Sequence, residues 1–169
     1  MGNSEHYEAS LPLLKKIFTW ARTANPFQPL TSGKWNGGEK FNSINEYIIN
    51  ESDIITFHAY CDIECTKNWV NDMKSIFFCY KEHNRPVICT EYMARWVNSK
   101  FLTHLPIFKQ EKVWAINWGF VFGRTQTYYP WGSQKDSPVP EIWFHDVVHP
   151  NGTSYDPIET AFIKNVTTV

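Results

Sequence analysis

An α/β fold built of parallel β/α units is the class this sequence predicts, and three observations carry the prediction. Short apolar runs of strand length alternate along the chain with stretches of helical periodicity. The runs are apolar at successive positions, as at Val87, Ile88 and Cys89, the pattern of a strand covered on both faces. Each run ends where polar and aromatic residues return. In parallel sheets that C-terminal edge is where chemistry is usually placed.

Taken in order, residues 9–24 carry Leu11, Leu14, Ile17, Phe18 and Ala21 at helical spacing. Ser10 reads as N-cap, Pro12 sits in the first turn, and Asn25-Pro26 stops the helix. Residues 28–35 read as a short strand and 36–38 as an Asn-Gly-Gly loop. Residues 41–50 form a short helix with Ile44, Tyr47 and Ile48 on one face. A second strand spans 53–60, turning polar at His58 and Tyr60. The helix after it, over 66–81, turns Trp69, Val70, Met73, Ile76 and Phe77 inward. The third strand, 86–92, ends at Glu91 and Tyr92. A helix over 98–109 follows with Phe101, Leu102, Leu105 and Phe108 inward, and a fourth strand spans 112–120. A long aromatic loop over 122–144 has the length of a functional loop, since structureless loops of that size are uncommon in compact domains. A connector over 146–155 and a last helix over 157–165 complete the chain. Parallel strands joined by helices require right-handed crossovers. A full (β/α)8 barrel takes ~250 residues and no fewer than ~200. A chain of 169 residues with four strands amounts to half of one.

Charge narrows the function. The 16 basic and 17 acidic residues give a formal net charge of -1, which leaves no footprint for nucleic acid or an anionic membrane. No apolar stretch approaches the ~18 residues of a membrane span, and the polar start of the sequence is not a signal peptide. The four cysteines show no CxxC pair and no histidine at metal-site spacing, so no metal is expected. Cys79 and Cys89 lie in apolar segments, whereas Cys61 and Cys65 flank a loop and are open to pairing. No glycine-rich phosphate loop follows a strand, and no cofactor is expected. The outlier is aromatic content, 17%. It fits a large aromatic core and equally a ligand cleft floored with rings, on which sugar C–H faces stack.

Four consecutive strand ends carry the motifs: Thr31 to Trp35, His58-Ala59-Tyr60, Thr90-Glu91-Tyr92 and Asn117-Trp118. This ordered set resembles the retaining (β/α)8 glycoside hydrolases near families 2 and 5, in particular cellulase-like and endo-xylanase-like members. The resemblance implies that residues 1–169 form one partial catalytic domain. Its strands would be numbers five to eight, the C-terminal half of a TIM barrel. It implies Glu91 as the nucleophile, Tyr60 as the phenol that hydrogen-bonds it, and His58 as a pocket histidine. Trp118 would be the stacking platform, with Trp35, Asn117 and Trp131 as further sugar contacts. The chemistry suits these residue types. A retaining mechanism needs an ionised carboxylate to attack the anomeric carbon, and a hydrogen-bond donor holds it in place and favours its charge. Tyr128 and Tyr129 are candidates for secondary sugar contacts, with rim or loop packing as the plainer reading. Lys34, Arg95, Arg124 and Gln126 are available as hydroxyl partners, and nothing in the sequence ranks them.

The pattern departs from the family in one respect. Retaining enzymes need a second carboxylate as acid/base, carried in this family on Asn-Glu-Pro. That motif is absent, and the one Asn-Glu pair, Asn45-Glu46, falls inside a predicted helix. Loss of proton donation to the leaving group costs typically ~10²–10⁴-fold. The expectation is therefore a C-terminal portion of a larger hydrolase of β-linked glycans, severely impaired in isolation. It would pair with an N-terminal half-barrel or self-associate, because half a barrel leaves open strand edges. The alternative is a non-catalytic carbohydrate-binding half-barrel. The particular sugar and linkage are not legible, and localisation is undecided, although enzymes of this resemblance are often periplasmic or secreted.

Overall fold

A computed structural model describes residues 7–34, 38–79 and 85–168. Trp35, the loop residues Asn36 and Gly37, the end of the predicted helix at 80–81 and the first six residues lie outside these, as do the side chains of Ile76 and Phe77. The element order is α1 (Tyr7–Thr23), α2 (Asn42–Glu51), β1 (Ile55–Ala59), α3 (Ile63–Cys79), β2 (Val87–Tyr92), α4 (Phe101–Gln110), β3 (Trp114–Asn117) and α5 (Pro157–Thr167). The three strands form one parallel sheet in the order β1-β2-β3. The predicted parallel α/β class therefore holds. Ser10 and Pro12 fall inside α1 rather than at its start.

The predicted strand over 28–35 needs correction. Its described residues contribute a single parallel bridge, Lys34 to Phe57. The reason lies in the local sequence: Pro29 has no N–H to donate, and the next residues bond largely to side chains. Leu30 N–H donates to Asp53 Oδ2 at 2.7 Å, and Ser32 N–H to Ser52 Oγ at 3.3 Å. Thr31 Oγ1 donates to the Ile54 carbonyl at 2.9 Å. Backbone pairing is confined to two points: the Leu30 carbonyl receives Asp53 N–H, and Lys34 places its N–H on Thr56 O while its carbonyl receives His58 N–H.

The core lies between the sheet and its helices. Phe57, Ala59, Cys89, Tyr92 and Met93 meet Val70 and Met73 of α3 and Phe101 and Phe108 of α4, all essentially buried. The Tyr92 ring packs edge-on against Phe108 at 5.2 Å between centroids. The opposite face of β3 is not covered: Trp114 is 71% and Ile116 56% exposed, while Ala115 between them packs on the core. Side chains alternate across a strand, so these two residues share the sheet face away from the helices. The last helix is capped by Asp156, whose Oδ1 accepts from the Ile158 and Glu159 N–H groups, and Pro157 pre-sets its first turn. No helix among the described residues is long and apolar enough to cross a membrane.

Two fully buried histidines give the fold a pH dependence. His104 is tied to Thr66 Oγ1 and to the Cys61 carbonyl, and His145 to the Met93 carbonyl. Burial is the largest influence on each and lowers its pKa, against the hydrogen bonds that raise it. The unfolded chain, titrating near the ordinary ~6.5, therefore binds more protons just below that pH than the native state does. Stability is expected to be level above about pH 6.5 and to fall as the pH drops below it. Asp146, raised by burial, acts with the opposite sign: its contribution is present at low pH and is lost as the pH rises through its raised pKa. Urea midpoints at about pH 7.5 and pH 5.5 check this, and a flat profile between them would contradict it.

Candidate active site

The C-terminal ends of β1 and β2 bring the predicted residues together through one irregularity in the sheet. Phe57 pairs with Cys89, and an uninterrupted register would then place Glu91 beside Ala59, in the core. Instead His58 pairs with Glu91, so β2 carries one extra residue there. The same extra residue appears against β3, between Cys89 and Tyr92. A bulge of this kind re-aims a side chain. Here it turns the carboxylate onto the face of His58 and Tyr60.

Tyr60 donates its hydroxyl to Glu91 Oε2 at 3.1 Å. His58 Nδ1 approaches the same oxygen at 3.4 Å, with both side chains about a quarter exposed. Burial raises the Tyr60 phenol far above its ordinary pKa, and the Glu91 charge and hydrogen bond add to it. It stays protonated and serves as the donor to the carboxylate. Burial lowers the His58 pKa and outweighs the pull of Glu91, so the imidazole is neutral around pH 7. The contact is thus geometric proximity to a carboxylate more than an ion pair. Behind His58, Gly33 leaves no room for a side chain: a Cβ there would lie 3.0 Å from His58 Nε2.

These groups line a hollow of ≈ 560 Å³, a volume suited to a small ligand. Trp118 and Trp131 form its walls, 45% and 59% exposed. The Trp118 backbone N–H donates to the Tyr92 carbonyl, which ties the chain at Trp118 to the end of β2. Trp131 reaches in from the long aromatic loop and stands perpendicular to the Tyr60 ring at 5.0 Å. Among the described residues, Glu91 is the single carboxylate lining the hollow. No group of three or more His, Cys, Asp or Glu among them is placed to hold a metal ion.

Several sequence expectations change here. Asn117 does not line the hollow; its amide donates to the Gly119 carbonyl at 2.6 Å and holds the turn after β3. Arg95, considered a partner for hydroxyls, is buried and bound to Glu159. Lys34 places its ammonium 5.1 Å from the Trp69 ring centre. Tyr128 is buried and stacks on Phe122 at 4.0 Å, so it is loop packing, while Arg124 and Gln126 are exposed. Two features of the wall were not foreseen as such. Trp69 packs against the core as its helical spacing predicts, and it also borders the hollow. Cys61 and Cys65 do pair, their disulfide closing the turn that follows Tyr60. A larger hollow of ≈ 670 Å³ lies over Arg95 and Glu159, but those charges are spent on each other.

The loop that carries Trp131 is anchored beneath the site by Gly119. Its φ of +80° is left-handed, and a Cβ there would stand 2.7 Å from both Asp146 Oδ1 and His145 Cβ. Gly119→Ala is expected to cost about 2–3 kcal/mol, combining backbone strain with overpacking. Urea denaturation measures it, and a loss below about 0.5 kcal/mol would show that the turn relaxes freely.

The chain matches no family model, no curated protein and no solved structure.

Proposed function

We propose that this chain supplies the nucleophile half of a retaining glycoside hydrolase acting on β-linked glycans. Glu91 would attack the anomeric carbon and form a glycosyl-enzyme, with Tyr60 holding the carboxylate and Trp118 stacking under the sugar. The observation that supports this best is the pairing of a partly exposed carboxylate with a donated phenol in an indole-walled hollow. Such a hollow offers a C–H stacking surface beside one anionic centre, which is what an oxocarbenium-like transition state requires.

Under this proposal the acid/base comes from a further β/α segment completing a barrel. The uncovered face at Trp114 and Ile116 supports that part, because parallel sheets are normally buried on both sides. A second reading, a carbohydrate-binding half-barrel without chemistry, is favoured by Glu91 being the one carboxylate among the described residues that line the hollow.

Activated aryl β-glycosides separate the two, since a good leaving group departs without a proton. A stoichiometric burst of phenolate is expected, followed by slow turnover that azide accelerates by capturing the glycosyl-enzyme as a β-glycosyl azide. Binding of the glycoside with no phenolate released would leave the binding module as the better reading.

A further inference from the structure

We propose that His145 is a positioning residue that holds the Tyr60–Glu91 pair from both sides. It rests on the reading of Glu91 as the reacting group. The two partners belong to different strands, and their 3.1 Å contact depends on how those strand ends are fixed relative to each other. Two residues after Glu91, Met93 is fully buried in a left-handed conformation, φ 75°. A non-glycine residue holds such a conformation only where its surroundings impose it. Here both backbone groups are engaged. The Met93 N–H donates to Ser99 Oγ at 3.1 Å, and Ser99 Oγ in turn donates to the Ala59 carbonyl, just before Tyr60. The Met93 carbonyl receives His145 Nδ1 at 2.5 Å.

A carbonyl only accepts, so the His145 proton sits on Nδ1. That bond sets the ring plane, and the ring meets Tyr60 at 5.7 Å between centroids and 62°. It also meets Trp131 at 5.8 Å and Phe144 at 4.5 Å. With 2% of its surface exposed, His145 is almost wholly withdrawn from solvent and is not itself placed to react. One side chain thus fastens the turn leaving the Glu91 strand and, through its ring, the phenol that donates to Glu91. The neighbouring Asp146 is kept in place by Thr127 Oγ1, which leaves His145 little freedom to turn away.

The test reads Tyr60 directly. In ligand-free protein carrying ring-labelled tyrosine, with Tyr60→Phe as the assignment control, the wild-type Tyr60 phenol is expected to remain protonated at about pH 11. His145→Gln keeps an N–H for the Met93 carbonyl and loses the ring; His145→Phe keeps a ring and loses the donor. In both, Tyr60 is expected to ionise at least about one pH unit lower, because the phenol swings from the carboxylate toward water. A shift in one variant assigns the holding to the contact it removes. Wild-type titration in both overturns the proposal.

A second arm follows inactivation by a fluoro-glycoside in Tyr60→Phe, His145→Gln and the double variant. Each single change is expected to slow labelling about 10-fold and the double change scarcely more, since both act through one hydrogen bond. Multiplying effects, about 100-fold in the double variant, would overturn it as well. If wild-type Glu91 is never labelled, hydrolysis through Glu91 fails while the tyrosine titration still decides the role of His145.

Discussion

Glu91→Gln is expected to abolish the phenolate burst from activated aryl glycosides, lowering the rate on the order of 10⁴-fold, as loss of a nucleophile that works within a set typically does. The amide is nearly isosteric and still accepts the Tyr60 hydroxyl, so the hollow and its indoles are retained. What disappears is the negative oxygen that would attack the anomeric carbon. Sugar binding should therefore change little, and the loss should fall on the chemical step. Tyr60→Phe provides the graded comparison. It removes one charge-assisted hydrogen bond, worth about 1.5–3 kcal/mol, and so should slow the burst by about 10- to 100-fold without ending it. Equal bursts in wild type and Glu91→Gln would remove Glu91 from the chemistry.

Arg95→Met is expected to cost about 3–5 kcal/mol, a large share of the 5–15 kcal/mol that holds an ordinary domain folded. Arg95 is 8% and Glu159 6% exposed, and their ion pair closes to 2.6 Å. The same guanidinium donates to the Trp143 carbonyl at 2.8 Å and the Asp146 carbonyl at 3.1 Å, and lies 4.7 Å from the Tyr155 ring centre. Methionine fills much of the volume but leaves a carboxylate and two carbonyls buried without donors. Adding Glu159→Leu should recover a good part of the loss, because the stranded charge is then gone. Urea denaturation of the two variants decides it. A cost below about 1 kcal/mol for Arg95→Met would mean that water reaches Glu159.

Much of the fold was legible because it rests on local pattern. The runs at Val87 to Cys89 and around Phe57 are apolar at successive positions, and the helices between them carry clear periodicity. The expected strand over 28–35 is largely replaced because Pro29 donates nothing and because bonding through Thr31, Asp53 and Ser52 side chains has no periodic signature. The extra residue in β2 is a property of register against two neighbours, which a single strand does not encode. It nevertheless decides whether Glu91 faces the core or the hollow. Arg95 stands in the sequence only as an available hydroxyl partner, because the carboxylate that buries it lies 64 residues away. His145 and Asp146 carry no local signal of a role, since their meaning depends on Met93 and Gly119, which approach them only in the folded chain.

The intact mass of the protein after incubation with an activated fluoro-glycoside is the most direct measurement. A gain of one fluoro-glycosyl unit, mapped by peptide analysis to Glu91 and missing in Glu91→Gln, is the predicted result. No mass gain under conditions where the sugar demonstrably binds, or a label carried on another residue, would contradict it.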